Sequence, residues 1–511
     1  KYNDDGTWGY YFGSQQHPLL VMKDNDNKDV WTSITGTFKA DVNLLPGLVW
    51  TSSLNGTMSR NKKEAYYSPQ SYNGRSVNGN YDTSGSEGHV ITSNTFLNYN
   101  LTAGKWGIGA TFGYEYTENK YEGYGYGIVG FAGIEGLEWA GNGSSFAEWS
   151  NYQYLNRKRI DRSESVFLRA NAAFLDRYLL SVSMRRDGTS KLPRSTRYSN
   201  FPAVPAGWII SDESFMSGQR VFNLLKLRAS YGITGSIANL AMTDTFDYLQ
   251  SNTYFNSPAL RLSNTMGNPF LRWEKTKQFD AGLEMDMFSN RLSITLEWYY
   301  KYTNDMLTSE DLPSTTGGFT TRRVNSGTNR NRGFDIGASY RDRFGDGFSY
   351  SVGLNMNINR SKILALPTDP FNYSAGYYGG GNSPRPRLTV GQPFGSLLMY
   401  QALGIDANGD VIYYDKDGLG PITATALMVV NVLQNKFTGG LNASIRWKGL
   451  SLYGQFSFTY GGKIYNADEH FPRTAEIGYN GAMSNFSSYL LDRWTPENKN
   501  SRYPRYIVGA H

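Results

Sequence analysis

The fold is decided by residues 278–301, QFDAGLEMDMFSNRLSITLEWYYK. Phe279, Ala281, Leu283, Met285 and Met287 alternate with Gln278, Asp280, Gly282, Glu284 and Asp286, so one face is apolar and the other polar. After the break Ser289-Asn290-Arg291 the alternation resumes, with Leu292, Ile294, Leu296, Trp298 and Tyr300 set against Ser293, Thr295, Glu297 and Lys301. A period of two marks a strand, because successive side chains on a pleated backbone point to opposite faces. Two such runs joined by a tight polar turn are an antiparallel hairpin.

The same unit recurs along the chain. Residues 34–42 pair with 48–58, 95–101 with 106–116, 166–174 with 178–184, 204–210 with 225–231, 334–340 with 348–358, and 437–447 with 450–460. The pattern predicts seven hairpins, or fourteen strands, most of about 9–11 residues, the length a tilted strand needs to cross a bilayer. Between hairpins the connections are long and polar, over spans near 59–89, 117–163, 187–203, 234–274, 303–332 and 360–436. Short turns alternating with long loops are the asymmetry of outer-membrane barrels, with the short turns periplasmic and the long loops extracellular. The second face is notably polar, as at Asn355, Asn357 and Asn359, at Asn442, Ser444 and Arg446, and at Ser457 and Thr459. A soluble sandwich also alternates. The discriminating feature is an aromatic girdle: Trp106, Tyr116, Trp298, Tyr300, Tyr340, Trp447 and Tyr460 are expected at strand ends. The fold class is therefore all-β, a transmembrane antiparallel β-barrel.

Composition points the same way. The 511 residues include 56 Gly, 38 Tyr, 27 Phe and 11 Trp, and only 18% are charged. That is too aromatic for disorder and too poor in helix formers for a helical protein. No run of about 18 apolar residues supplies a membrane helix. The net charge of +6 comes from Lys and Arg spread along the chain, which argues against a nucleic-acid footprint. Zero Cys excludes disulfides and thiolate metal sites. Residues 1–5, KYNDD, do not open a signal peptide. His17, His89, His470 and His511 are scattered, without metal-protease spacing, and no nucleophile elbow is present, so no catalytic residue is assigned and the protein is not read as an enzyme. Residues 125–130 satisfy G-x-G-x-x-G but sit in a Tyr/Gly-rich stretch that reads as loop, without the strand–helix context of a dinucleotide site.

Specific words then become recognisable. Residues 177–190, RYLLSVSMRRDGTS, are followed in order by Phe201-Pro202-Ala203-Val204, Gly207-Trp208, Asp212-Glu213-Ser214-Phe215 and residues 225–232, LKLRASYG. Further on come Trp273-Glu274-Lys275-Thr276, Asn331-Arg332-Gly333-Phe334 and residues 492–498, DRWTPEN. This series resembles the SusC-like (SusC/RagA) TonB-dependent outer-membrane transporters over about residues 165–511, while residues 1–160 match only in hairpin rhythm. The resemblance implies a 22-stranded barrel with an N-terminal plug. Residues 1–511 are then part of one barrel domain, with the plug and the final strands expected outside this sequence. It implies a cell outer membrane of a Gram-negative, Bacteroidota-type bacterium, contact with outer-membrane lipid, and import of oligosaccharides together with a SusD-like surface lipoprotein. Energy would come from the TonB–ExbB–ExbD complex through the missing N-terminal segment. Oligopeptide import by the same family, or a passive structural barrel, are the alternatives.

Two stretches are candidate binding sites. Residues 121–154, read as a loop, hold Tyr124, Tyr126, Trp139, Trp149 and Tyr152, whose rings suit the C–H faces of sugars. They equally suit loop or partner packing. Residues 373–387 are a second loop candidate, with Gly379-Gly380-Gly381 and Pro384-Arg385-Pro386-Arg387. Asp406, Asn408 and Asp410 have the alternate spacing of oxygen ligands in a calcium loop. However, Val411 replaces the sixth-position Gly and Asp417 the usual Glu, so a plain Asx turn competes with calcium, the one cofactor considered.

Overall fold

Each alternating segment pairs antiparallel with the next in chain order, giving one uncrossed sheet. In the computed structural model the described residues are 22, 25–69, 71, 73–132, 140–147, 157–254, 257–313, 315–345, 347–367, 371–372, 385–414, 427–430, 434–463 and 488–505. The long strands of the sheet are β1 Asn25–Leu45, β2 Leu48–Tyr67, β3 Asn80–Ala103, β4 Trp106–Val129, β5 Arg157–Phe174, β6 Tyr178–Thr189 and β7 Tyr198–Ile209. They continue as β8 Phe222–Ser236, β9 Glu274–Met287, β10 Leu292–Asn304, β11 Thr328–Phe344, β12 Phe348–Ala365, β13 Phe437–Trp447 and β14 Leu450–Tyr460. All fourteen expected strands are present, in the expected hairpins. Among the described residues, the outer edges of β1 and β14 pair with no further strand.

Cross-strand partners share a face, so register carries the apolar face from strand to strand. One row runs Trp106, Phe174, Tyr178, Trp208, Leu227, Leu283, Leu296, Ile336, Met356, Gly439 and Phe458, from β4 to β14. Its members and their neighbours stand open to the surroundings: Leu168 is 53% exposed and Phe112 55%. Soluble proteins rarely expose so continuous an apolar belt. On β4 the outward residues Trp106, Ile108, Ala110, Phe112, Tyr114 and Tyr116 give way to Glu118, Lys120 and Glu122. At a tilt near 45° the apolar part rises roughly 25 Å, the height of a barrel's lipid band.

Two expectations need correction. The strands run from 11 to 24 residues, longer than the lipid band requires. They continue past the membrane because the outward face simply switches from apolar to paired charges, and nothing in the backbone pattern stops the ladder. As a result residues 121–129, expected in a loop, belong to β4, and parts of the other loop spans are strand too. The girdle residues all share the outward face, but Tyr116, Trp298 and Tyr300 lie within their strands at the band's upper margin, and Tyr340 lies four residues inside the end of β11, rather than at strand ends.

The short-turn ends are tightly made. Lys448 and Gly449 both take positive φ, 48° and 103°, the two-residue turn whose twist matches the flanking strands. At the other end, Leu192, Phe201, Leu240, Leu271, Trp273 and Leu307 form an apolar cluster. It is fixed by Trp273 Nε1 donating to the Arg197 carbonyl at 2.9 Å. A second cluster joins Tyr66, Ile128 and Phe131. The long connections are thus not merely polar: they carry their own cores and short strands.

Candidate functional site

The face opposite the apolar belt lines the inside of the wall, and it is built from polar side chains that satisfy one another. On β8–β10, Lys226 Nζ lies 3.3 Å and Arg228 Nε 2.9 Å from Glu284, and Arg228 Nη2 also donates to Glu297. Ser230 Oγ donates to Asp280 at 3.1 Å. On β4–β6, Arg185 meets Glu115 at 2.8 Å and Asp187 at 2.6 Å. Asn357 Nδ2 donates to Asp335 at 2.6 Å, and the Tyr299 hydroxyl donates to Asn359 Oδ1 at 3.2 Å.

Two of these contacts depend on a glycine in the strand between. Arg228, Gly282 and Glu297 are in one cross-strand row, as are Tyr299, Gly333 and Asn359. A Cβ on Gly282 would stand 2.8 Å from Arg228 Nε. A Cβ on Gly333 would stand 2.5 Å from the Tyr299 hydroxyl and 2.1 Å from the Ile358 carbonyl. Each glycine lets a long side chain lie across its strand and bond two strands away.

At the short-turn end, separated words of the sequence converge on one carboxylate. Glu213, in the connection after β7, accepts from the Tyr178 hydroxyl at 2.5 Å, from Trp208 Nε1 at 3.0 Å and from Arg177 Nη1 at 3.4 Å. The Tyr178 hydroxyl first, then the Trp208 indole, hold its carboxyl below the ordinary carboxylate range. A depressed folded value means the contact stabilises above the unfolded carboxylate pKa and fades as pH falls through the folded one. The wild-type heat-unfolding midpoint should therefore decline below about pH 4.5, and Glu213→Gln should flatten that decline. An unchanged acid limb in the variant would remove Glu213 from the account.

The long-loop end opens into a cleft of ≈ 1110 Å³ lined by Tyr121, Arg157, Arg159, Asp161, Lys191 and Tyr248. Register puts Tyr121, Arg157, Arg159 and Asp161 on the inner face of β4 and β5. The sequence-derived candidates are placed differently. Tyr124 and Tyr126 share the outward face with Phe112 and Tyr116. Tyr124 lies over Gly85 of β3, and Tyr126 meets Phe146 edge-on at 6.3 Å. Trp139, Trp149 and Tyr152 lie outside the described residues, as does most of 373–387. The inward Tyr121 was within the same stretch, and the alternation Tyr121, Gly123, Gly125, Gly127 was the signal that separated it from Tyr124 and Tyr126.

Asp406, Asn408 and Asp410 form the turn between short strands Ala402–Ile405 and Val411–Tyr413. Asp406 Oδ1 accepts the backbone N–H groups of Asn408 and Asp410, both at 2.8 Å, and these bonds hold its carboxyl below the usual range. Asp410 is gripped by both Arg505 nitrogens at 2.7 and 2.8 Å. The geometry is that of an Asx turn with a bidentate ion pair, in which both carboxylates already have partners.

Comparison with known proteins agrees with this wall. The family model for the TonB dependent receptor-like β-barrel matches residues 1–463. TonB-dependent receptor P26 of Formosa agariphila is 29% identical over 99% of this chain and 52% of its own length. TonB-dependent receptor SusC of Bacteroides thetaiotaomicron is 24% identical over 94% of this chain and 48% of its own. The solved RagAB peptide transporter superposes with a TM-score of 0.85 at 23% identity, over 98% of this chain and 56% of that one. The chain spans about half the length of the curated relatives it matches.

Proposed function

Because the chain belongs to the TonB-dependent receptor-like β-barrel family, as a SusC-like member, we propose that it forms much of the wall of an importer that takes up oligosaccharides with a SusD-like surface lipoprotein. The family consists of receptors and transporters, not enzymes, and its barrels stand in the outer membrane. On this reading the wall is completed by strands outside residues 1–511, and a plug outside them couples to the TonB complex.

The observation that carries the substrate class is the inner face. Many of its charges meet a partner of opposite sign, as at Arg228 with Glu284 and Glu297 and at Arg185 with Glu115 and Asp187, while Arg169, Lys301 and Arg446 stand on the same face outside any such pair among the described residues. Much of the rest is amide and hydroxyl, including Asn357, Asn359 and Tyr299. Such groups suit a neutral, hydroxyl-rich solute that exchanges hydrogen bonds with water at little net cost. An oligopeptide is the second reading. It is favoured by the basic excess of Arg157 and Lys191 at the rim cleft, which suits peptide carboxylates, and by the wall fold shared with a peptide transporter.

Native full-length protein extracted in detergent, with whatever copurifies, should carry a lipoprotein partner and neutral oligosaccharide detectable by mass spectrometry. Bound peptide without glycan would favour the second reading. Absence of any lipoprotein would overturn the paired importer.

A further inference from the structure

We propose that the outward face of β9–β12, just above the lipid band, binds the phosphate of an outer-leaflet glycolipid. The last wholly apolar row of the band on these strands is Ala281, Trp298, Phe334 and Ile358. Above it, register aligns Tyr300, Arg332 and Arg360 in one row and Lys277, Tyr302, Arg330 and Lys362 in the next. Lys275 follows on β9.

No Asp or Glu occupies the outward face of these strands above Trp298. Arg332 faces Arg360 across the ladder, and Arg330 faces Lys362. Like charges directly opposite are destabilising unless something between them is negative.

The contrast with β2–β5 sharpens the point. There, at the same height, the outward cations sit beside carboxylates of the wall: Arg60 with Glu87 at 3.5 Å, Lys62 with Glu64 at 2.9 Å, Lys120 with Glu118 at 3.0 Å and Arg162 with Glu118 at 2.6 Å. Among the described residues, Lys277, Arg330, Arg332, Arg360 and Lys362 are in no such pair. A field of cations with no carboxylate of the wall beside it is where an anionic oxygen is needed.

Height and direction choose the occupant. The patch faces away from the lumen, on the long-loop side, level with Tyr300 and Tyr302 and immediately above Trp298 and Phe334. An acyl chain lying on Leu283, Leu296 and Ile336 would bring its headgroup phosphate level with Arg330, Arg332 and Arg360. Free phosphate offers the same oxygens but no chains to lie on the belt.

The test uses the native full-length protein. Phosphorylated glycolipid retained per protein is counted by mass spectrometry, and delipidated protein is titrated with lipid A, with dephosphorylated lipid A and with inorganic phosphate. Replacing Arg330, Arg332 and Arg360 together by Gln should lower retained lipid and lipid A affinity at least about tenfold, since each cation at a membrane surface changes binding about fivefold. The matched control Lys62→Gln with Lys120→Gln and Arg162→Gln should lower it less than about twofold. Dephosphorylated lipid should bind the wild type as weakly as lipid A binds the triple variant. Equal lipid in wild type and triple variant would overturn the proposal, as would inorganic phosphate displacing lipid A at equal concentration. If the triple variant fails to assemble, Arg332→Gln and Arg360→Gln singly carry the same test, each with a loss of about fivefold, and Arg332→Lys should retain binding.

Discussion

Leu296→Arg is expected to destabilise the wall by about 2–4 kcal/mol, the cost of an arginine on the lipid face near the bilayer midplane. Leu296 is the middle residue of the apolar outward run Leu292, Ile294, Leu296, Trp298 and Tyr300 of β10, between Leu283 and Ile336 in its cross-strand row. An arginine there must either strip its guanidinium of water or thin the membrane around it. Thr295→Arg, one residue away, points inward beside Glu284 and should cost less than about 1 kcal/mol, because the new charge meets water and an acid. The pair is read from heat-induced mobility shifts of the membrane-embedded protein and from urea unfolding in lipid vesicles. Equal losses at both positions would mean that the faces are not lipid and lumen, and the barrel reading would fail.

Gly333→Ala should be the most damaging single methyl on the inner face, at about 2–3 kcal/mol, in the range of overpacking plus one lost hydrogen bond. The new Cβ meets the Ile358 carbonyl at 2.1 Å, and that oxygen belongs to the ladder between β11 and β12. It also meets the Tyr299 hydroxyl, which would be pushed off Asn359. The two clashes separate in a double variant: adding Tyr299→Ala removes the ring but leaves the carbonyl. Only a small part of the stability should return, as followed by the mobility-shift midpoint. Full recovery would show that the ring alone requires the glycine, and no loss in Gly333→Ala would remove the close approach altogether.

The girdle shows how far alternation alone can be read. Trp106 and Trp447 were placed correctly at turns because a turn is a local event, written in Gly104 or Lys448-Gly449. Tyr116 was assigned to a strand end because its hydrophobic run stops there. The strand does not stop, since a backbone ladder continues through Glu118 and Lys120 as readily as through Phe112. Tyr124 and Tyr126 were read as loop for the same reason, and their outward facing follows once the unbroken register with β3 is known. The calcium-like spacing at Asp406 was visible, but Arg505 against Asp410 joins residues far apart in sequence, and no local pattern announces it.

The sequence by itself determined the strand count, the hairpin pairing and the separation into an apolar and a polar face. These depend on a period of two and on short turns, which are properties of neighbours along the chain. Tertiary structure decided what each face is for. Only the register across β8–β12 places Arg228 over Gly282 onto Glu297, Tyr299 over Gly333 onto Asn359, and a field of cations without carboxylate partners above the lipid band. Those contacts bridge two strands sideways, and their partners become neighbours only when the sheet has formed.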